Sequence, residues 1–237
     1  MLRYSIDHPL SSFSETLRTA KVALDLSLGE RRPRIVGVIS ALPGEGKSTV
    51  AKNFASLLAH LGARTILIDA DLRNPGLTRG VARHAEAGIL EAMRGDQPLS
   101  ELLLAEPDSG LVVLPAVIKK RVQHPSEALS SLGMRNVLAE AGKSFEYIIV
   151  DLPPLGPIVD VRAAASLFDA FLFIVEWGRT PRAVVQNIFA ADALLYEKCA
   201  GVIFNKVNLK KVNLYEGYGS KYYYYSRYSK YYHKDKD

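Results

Sequence analysis

A glycine-rich loop containing a lysine separates an apolar run from a helical pattern near the start of the chain. The run at residues 35–39 is short and mostly β-branched, which is typical of a buried strand, and residues 48–61 have the periodicity of a helix. Glycines in this context let backbone N–H groups turn towards phosphate oxygens, and the helix N-terminus favours the same anions. The loop residues expected to hold a nucleotide are Pro43, Gly44, Glu45, Gly46, Lys47, Ser48 and Thr49.

Lys47 and Ser48 are the side chains of this loop that can act chemically on a nucleotide. A lysine at this position neutralises β- and γ-phosphate oxygens, and the hydroxyl that follows it is the expected Mg²⁺ ligand. Ala41 stands where the usual pattern has its first glycine. The alternative is a glycine turn that binds nothing, and the combination of loop and context disfavours it.

Two further apolar runs end in aspartates. One leads to Asp69, with Asp71 two positions later, and the other leads to Asp151. Because the carboxyl ends of parallel strands meet at one edge of a sheet, we expect these carboxylates to lie beside Lys47. Asp69 and Asp151 are expected to hold Mg²⁺ through its waters, and Asp71 to accept a proton from a nucleophile. The alternative for each aspartate is that it only caps its loop.

Short apolar runs alternate with helical patterns along the chain, and the runs are apolar at every position. This predicts parallel strands covered on both faces, in a doubly wound, mostly parallel α/β sheet. The N-terminal helix is expected at residues 12–28, opened by a capping box of Ser12 and Glu15. A later helix at residues 125–142 is expected to break near Gly133.

The last helical pattern spans residues 181–196, and the last apolar run spans residues 201–204. A lone cysteine, Cys199, excludes an intramolecular disulfide and a multi-cysteine zinc site, and it fits a reducing compartment. The chain has no run of 18 apolar residues, and charges among its first ten residues argue against a signal peptide.

The C-terminal segment holds the whole net charge and most of the tyrosines. The formal charge of the chain is +5, and the residues from Lys206 onward hold eight Lys/Arg and three Asp/Glu. This low-complexity composition predicts a flexible tail. This tail could be a kinase substrate, a nucleic-acid stacking surface or a merely sticky segment, and the phosphate loop on the same chain favours the first interpretation. The candidate phosphorylation sites are Tyr215, Tyr218, Tyr222, Tyr223, Tyr224, Tyr225, Tyr228, Tyr231 and Tyr232.

Together these motifs resemble the bacterial tyrosine kinase family, P-loop NTPase-fold kinases of capsule and exopolysaccharide synthesis. The matching motifs lie at residues 43–48, 69–73, 151–154 and 215–232. Partitioning and cell-division-site ATPases share single motifs, but they usually carry an extra lysine early in the loop, where this chain has Leu42. A non-kinase ATPase switch of that type is the alternative reading of the chain.

The resemblance implies an ATP- and Mg²⁺-dependent autokinase that phosphorylates its own tail tyrosines between subunits and regulates polysaccharide synthesis or export. Relatives of this fold contact adenine at the position of Asn205, although a turn-forming asparagine is nearly as good a reading. The family usually has threonine where this chain has Leu152, so a hydroxyl near the γ-phosphate is missing.

The family's N-terminal helix mediates ring assembly, and its motif is seen here as Glu15, Arg18 and Lys21. Lysine replaces the last arginine of that motif, so bidentate pairing is lost there. The alternative is a solvated helix face with ordinary ion pairs.

The expected organisation is an oligomerisation helix and connector at residues 1–33, a kinase domain at 34–208 and a tyrosine-rich tail at 209–237. The chain is expected to form a ring-like homo-oligomer. Its expected partners are a membrane polysaccharide co-polymerase, separate or fused upstream, and a cognate tyrosine phosphatase. No nucleic-acid partner is expected. The expected location is the cytoplasmic face of the cell membrane.

Overall fold

Seven strands form one sheet in the described part of the computed structural model, which covers residues 3–156 and 158–208. The strands are β1 (Arg34–Ser40), β2 (Thr65–Asp69), β3 (Leu104–Ala105), β4 (Val112–Leu114), β5 (Tyr147–Asp151), β6 (Ala170–Glu176) and β7 (Cys199–Asn205). Their order is β3-β4-β2-β5-β1-β6-β7, and every neighbouring pair is parallel except β3 and β4. The doubly wound, mostly parallel α/β sheet is confirmed, with β3 as an antiparallel edge strand that was not expected.

Helices connect the strands and cover both faces of the sheet. They are α1 (Tyr4–Asp7), α2 (Ser12–Leu28), α3 (Lys47–His60), α4 (Gly76–Val81), α5 (Ile89–Arg94), α6 (Leu99–Leu102), α7 (Pro125–Ser130), α8 (Leu132–Gly142), α9 (Asp160–Ala164), α10 (Arg182–Ala191) and α11 (Ala193–Glu197), with a 3₁₀ turn at Ala165–Leu167. No helix within residues 3–156 and 158–208 is both long enough and apolar enough to cross a membrane.

The start of α2 differs from the predicted capping box, which was wrong. Ser11, in an extended conformation, is the N-cap, and its hydroxyl accepts the N–H of Ser14 at 3.2 Å. The N-cap lies one residue earlier than expected, so Ser12 is the first residue of the helix. Glu15 pairs with Arg18 one turn later.

Two long helical patterns are each split by a side-chain cap. The break between α7 and α8 falls at Ser131, whose hydroxyl accepts the N–H of Met134, and not at Gly133. A Cβ at Gly133 would lie 2.1 Å from the Met93 carbonyl oxygen, so this glycine permits close packing instead. The second break is at Asp192, whose carboxylate caps α11.

Each face of the sheet packs into its own core, which explains why the strands are apolar at successive positions. Val36 of β1 belongs to a core that contains Leu17 of α2 and Phe54 of α3. Ile39 of the same strand lies in the core of the opposite face, with Phe173 of β6. Covered on both sides, β1 lies at the centre of the sheet and holds the loop that follows it.

The register of the central strands brings their acidic ends together. Asp69 of β2 is directly opposite Asp151 of β5, and Asp151 is opposite Val38 of β1. In the strand order, β2 and β5 lie on one side of β1, and β6 and β7 lie on the other. The loop after β1 therefore leaves the sheet at the point where the strand order changes direction. In open α/β sheets this crevice is where ligands bind.

Candidate active site

The loop between β1 and α3 has the backbone geometry of an anion cradle. Gly44 and Gly46 have φ values of +82° and +90°, a region that favours glycine. A Cβ at Gly46 would also lie 2.1 Å from the side-chain nitrogen of Asn205. Both the backbone and the packing therefore require glycine at position 46, directly before the first residue of α3.

Lys47 opens α3 and lies among the aspartates that end the neighbouring strands. Its ammonium nitrogen is 2.5 Å from Asp151 Oδ1 and 4.0 Å from Asp71 Oδ2. Lys47 is 7% exposed and Asp151 is fully buried, so this ion pair is screened little by solvent. The structure brings the predicted lysine and carboxylates together at one edge of the sheet.

The second oxygen of Asp151 carries a feature that fits a metal site. Its Oδ2 atom is buried and has no hydrogen-bond partner in the described part of the protein. Within residues 3–156 and 158–208, no cluster of three or more His, Cys, Asp or Glu forms an all-protein metal cage. Magnesium usually keeps several waters and takes few protein ligands, so Ser48 with water-mediated contacts to Asp69 and Asp151 fits this ion.

Asp69 is held by a residue that the sequence did not single out, Thr78 of α4. Asp69 Oδ2 accepts the N–H of Thr78 at 2.8 Å and its hydroxyl at 2.7 Å. The Thr78 hydroxyl in turn accepts the N–H of Ala116. Burial, and next the charge of Asp151, raise the pKa of Asp69 to about 7. Thr78 is visible only in the structure because it lies nine positions after Asp69, across a loop and the start of a helix.

Asp71 lies at the mouth of this cluster. One of its oxygens accepts the N–H of Asn74 at 3.0 Å, and its own N–H donates to Asp69 Oδ1 at 3.2 Å. Burial raises the pKa of the Asp71 carboxyl above its usual range, although the charge of Lys47 opposes the shift. A carboxylate whose pKa is moved towards neutrality is a better proton acceptor.

Glu45 was expected to contact the nucleotide, but its side chain turns into the protein. Its carboxylate accepts the N–H of Leu42 at 2.6 Å and the N–H of Glu176 at 3.0 Å, and also the hydroxyl of Thr180. The buried carboxylate thus ties the phosphate loop to the end of β6. Only the backbone of Glu45 is left to face a phosphate group.

The end of β7 is also bound to the phosphate loop. Asn205 donates its side-chain N–H to the Glu45 carbonyl at 2.7 Å. The next residue, Lys206, donates to the Gly44 carbonyl at 2.6 Å and pairs with Glu176 at 3.0 Å. Asn205 therefore lies at the loop itself, where its contact to adenine stays a prediction, and Lys206 is a loop contact that the sequence analysis missed.

Arg73 of the second acidic motif is anchored by Asp160, the first residue of α9. The guanidinium makes a bidentate pair, with Nε at 2.7 Å and Nη2 at 2.9 Å from the two carboxylate oxygens. Asp160 is buried whereas Arg73 is partly exposed, so the pair fixes the arginine next to Asp71. The motif suggested Arg73, but Asp160, far along the chain, had no signal in the sequence.

The aliphatic residue after Asp151 belongs to the core. Leu152 is fully buried, and its side chain would lie 2.8 Å from a Cβ at Gly37. The Phe171 ring would lie 2.6 Å from the same Cβ, so Gly37 lets β6 and Leu152 pack closely against β1. Leucine at this position fills space under the site and offers no hydroxyl to it.

The residues expected to assemble a ring lie on α2 and have partners within the chain. Arg18 pairs with Glu15 and also donates to the Pro9 carbonyl. Lys21 pairs with Asp25 at 2.6 Å. An assembly role for them stays a prediction. The nine candidate tyrosines at residues 215–232 lie outside the described residues.

The chain is similar to known proteins along most of its length. A family model described as an AAA domain matches residues 33–176. The succinoglycan biosynthesis transport protein ExoP of Rhizobium meliloti (strain 1021) is 41% identical over 231 residues, 97% of this chain but only 29% of that protein. Tyrosine-protein kinase CpsD of Streptococcus agalactiae is 30% identical over 200 residues, 84% of this chain and 86% of that protein.

Solved structures agree with these matches. The kinase domain of Escherichia coli tyrosine kinase ETK has a TM-score of 0.80 at 24% identity, covering 92% of this chain and 85% of that one. At this identity the likeness shows the fold, while the match to CpsD over most of both chains shows the family. The chain therefore belongs to the bacterial tyrosine kinase family, and its P-loop domain is that of a protein-tyrosine kinase.

Proposed function

We propose that this chain is an ATP- and Mg²⁺-dependent autokinase that phosphorylates tyrosines of its own tail between subunits and so regulates polysaccharide synthesis or export. The observation that carries the proposal is the position of Lys47, at the start of α3 and within 4.0 Å of both Asp71 and Asp151. A charge-neutralising lysine, a proton acceptor and a metal-binding carboxylate are the parts that phosphoryl transfer requires.

In this proposal, backbone N–H groups of the loop at Gly44 and Gly46 hold the phosphates, and Lys47 neutralises the β- and γ-phosphate oxygens. Magnesium, when bound, would offset the charge of the same oxygens, with Ser48 as its direct ligand. Asn205 would lie on the side of the adenine.

In the proposed phosphoryl transfer, Asp71 is the proton acceptor. The tyrosine oxygen forms a bond to the γ-phosphorus, the bond from that phosphorus to the β,γ-bridging oxygen breaks, and ADP leaves. The phenolic proton passes to Asp71, because a phenol with a pKa of about 10 needs a base as the phosphoryl group moves. The pKa of Asp71, raised by burial, suits this role.

The tail supports the choice of a tyrosine acceptor. Nine tyrosines lie between residues 215 and 232, a density that a non-kinase ATPase switch has no use for. The printed name of ExoP, a succinoglycan biosynthesis transport protein, supports a membrane polysaccharide co-polymerase as partner, separate or fused upstream. A cognate tyrosine phosphatase would remove the phosphates from the tail.

Incubation of the full chain with Mg-ATP, followed by mass measurement, tests the activity. We expect several added phosphates on residues 215–232. To test transfer between subunits, an active chain truncated after residue 214 is mixed with a full-length Lys47→Met chain. Phosphate on the tail of the Lys47→Met chain is expected. ATP hydrolysis without any change in mass would favour the ATPase switch instead.

The assembly role of α2 needs its own experiment. Replacing Glu15, Arg18 and Lys21 by alanine should shift a ring-sized oligomer towards monomer, measured by light scattering. A Ser12→Ala/Ser27→Ala chain, altered at two other positions of α2, is the control. An unchanged mass in the triple variant would make these residues an ordinary solvated face.

A further inference from the structure

A groove of about 650 Å³ lies next to the candidate active site and shares Thr78 with it. Its walls come from α4 with the residues that follow it and from the segment after β4. The volume is within the range of roughly 300–1,000 Å³ that is usual for small-ligand sites. The lining residues that matter here are Arg79, Ala82, Arg83, Ala116, Val117 and Ile118.

The two arginines of the groove are fixed by neutral partners. Arg79 donates one Nη2 hydrogen to Asn74 Oδ1 at 2.6 Å, and Arg83 donates its Nε hydrogen to the Arg79 carbonyl at 2.7 Å. Among the described residues, neither guanidinium makes an ion pair, and the terminal nitrogens of Arg83 make no hydrogen bond. Both cations are thus oriented while most of their N–H donors stay available.

A run of cations continues from the wall of the groove. Lys119, Lys120 and Arg121 follow Ile118 directly, and all three are exposed. No acidic side chain in the described ranges pairs with any of them. The first 205 residues contain 22 basic and 22 acidic side chains, so this surface is cationic against a neutral background.

The combination of an apolar floor and unpaired arginines selects a phosphorylated aromatic group. An arginine can bind a phosphate through two parallel hydrogen bonds, whereas the half-buried Val117 and Ile118 side chains offer an apolar surface for a ring. A free phosphate or a phosphoserine would leave that floor uncovered. Phosphotyrosine satisfies both parts of the groove.

We propose that this groove binds phosphotyrosines of the chain's own tail after they form, an inference that rests on the proposed function above. The unmodified segment from Lys206 onward has a charge of +5, so the cationic groove repels it while the carboxylates of the active site attract it. Each phosphate adds about −1.5 to −2 charges, and three or four reverse the sign. Substrate and product tyrosines are thereby directed to different, adjacent surfaces.

Direct binding of a synthetic peptide tests the groove without relying on the kinase reaction. The peptide has the sequence of residues 221–232 with phosphate on Tyr224 and Tyr228, and it is titrated into dephosphorylated full-length chain without ATP. Replacing Arg79 and Arg83 by glutamine should weaken binding at least about tenfold, since two charge-assisted contacts are lost. The matched control, Arg32→Gln with Arg135→Gln, removes two exposed arginines elsewhere and should leave binding nearly unchanged.

A second peptide separates aromatic recognition from plain charge attraction. It carries phosphoserine at the same two positions, so its charge is equal but the two rings that bear the phosphates are absent, and we expect roughly tenfold weaker binding. Circular dichroism of the Arg79/Arg83 variant checks that it is folded. Equal binding of the two peptides, or equal binding by both double variants, would overturn the proposal.

The outcomes distinguish this inference from the proposed function. Because the peptide is synthetic and ATP is absent, a groove that fails to bind leaves the tail-kinase proposal intact. A chain that binds the phosphotyrosine peptide but gains no phosphate from Mg-ATP keeps the groove as a phosphotyrosine site and loses the autokinase role.

Discussion

Helix α3 contains two buried lysines, five positions apart, whose hydrogen-bond partners differ. The ammonium of Lys52 is fully buried and contacts Ser56 Oγ at 2.9 Å and both oxygens of Glu106 at 2.6 and 2.8 Å. Lys47 contacts one carboxylate oxygen closely, and the other oxygen of that same Asp151 has no partner in the described chain.

This difference separates a structural charge from the charge that we propose to be catalytic. A lysine ammonium has three hydrogens to donate, and Lys52 places all of them on protein acceptors. Around Lys47, one oxygen of Asp151 has no hydrogen-bond donor, and the pKa of Asp69 is raised to about 7. The negative charge of these carboxylates is therefore left for a ligand to balance. Burial therefore does not distinguish the two lysines, whereas their sets of partners do.

The largest effect should come from Lys47→Met. Loss of the charge that neutralises phosphate oxygens should reduce tyrosine phosphorylation by roughly 10³-fold or more. The rate is measured by mass spectrometry on samples of equal folded concentration. If Lys47→Met keeps a tenth of the activity while Lys52→Met loses it, the two lysines have been assigned the wrong way round.

The pH dependence of stability probes the incomplete side of the comparison. The pKa of Asp69 is raised on folding, so its contribution to stability is present below about pH 4 and is lost as the pH rises through about 7. Asp69→Asn mimics the protonated acid. Relative to the native chain, its free energy of unfolding should gain roughly 2–4 kcal/mol between pH 4 and pH 8.

Chemical denaturation at several pH values, without Mg²⁺, measures this difference. A Glu140→Gln variant, altered at an exposed acid of α8, provides the control and should show a flat difference. A flat profile for Asp69→Asn as well would mean that Asp69 is ionised throughout and that its site is as well balanced as that of Lys52.

Lys52→Met should lower stability while sparing catalysis. Its removal leaves Glu106 partly buried and without its cation, which costs about 3 kcal/mol. Adding Glu106→Gln should restore part of that loss, because the uncompensated charge disappears. Urea denaturation gives the stabilities, and activity per folded molecule should stay close to native. No recovery in the double variant would argue against the ion pair as the cause.

The smallest effect is expected at Glu45, a structural acid inside the phosphate loop. Glu45→Gln replaces one acceptor oxygen by a donor that faces an N–H group or the Thr180 hydroxyl, which should cost about 1–2 kcal/mol. A loosened loop should raise the KM for ATP more than it lowers kcat. Steady-state kinetics check this, and a pure kcat loss would move Glu45 to the catalytic group.

The parts of the site that the sequence predicted are those that follow directly from strand ends. Asp69 and Asp151 come immediately after apolar runs, and the register of β2 and β5 places them opposite each other. Lys47 follows from the loop that opens α3. In each case a local pattern determines the position, and the parallel sheet brings the positions together.

The supporting contacts were not predictable because their partners are distant in the chain. Glu45 meets Thr180 and Arg73 meets Asp160 across 135 and 87 residues, and no local pattern marks such pairs. The break predicted near Gly133 is present, but it lies two residues earlier, for a different reason. Gly133 was read as a helix breaker, but Ser131 is the residue whose side chain caps the new helix.

The hydrogen bonds that hold Asn205 and Lys206 against the phosphate loop also fix the start of the tail beside the candidate nucleotide site. From Asn208, a fully extended chain spans about 3.5 Å per residue, so Tyr215 can reach at most about 25 Å and Tyr232 about 84 Å. If the tail is the substrate, as we propose, its early tyrosines can reach only active sites close to Asn208, whereas its late tyrosines can reach the active site of a distant subunit. Because the start of the tail is anchored, the position of each tyrosine along the tail would set the largest distance at which a neighbouring kinase could phosphorylate it.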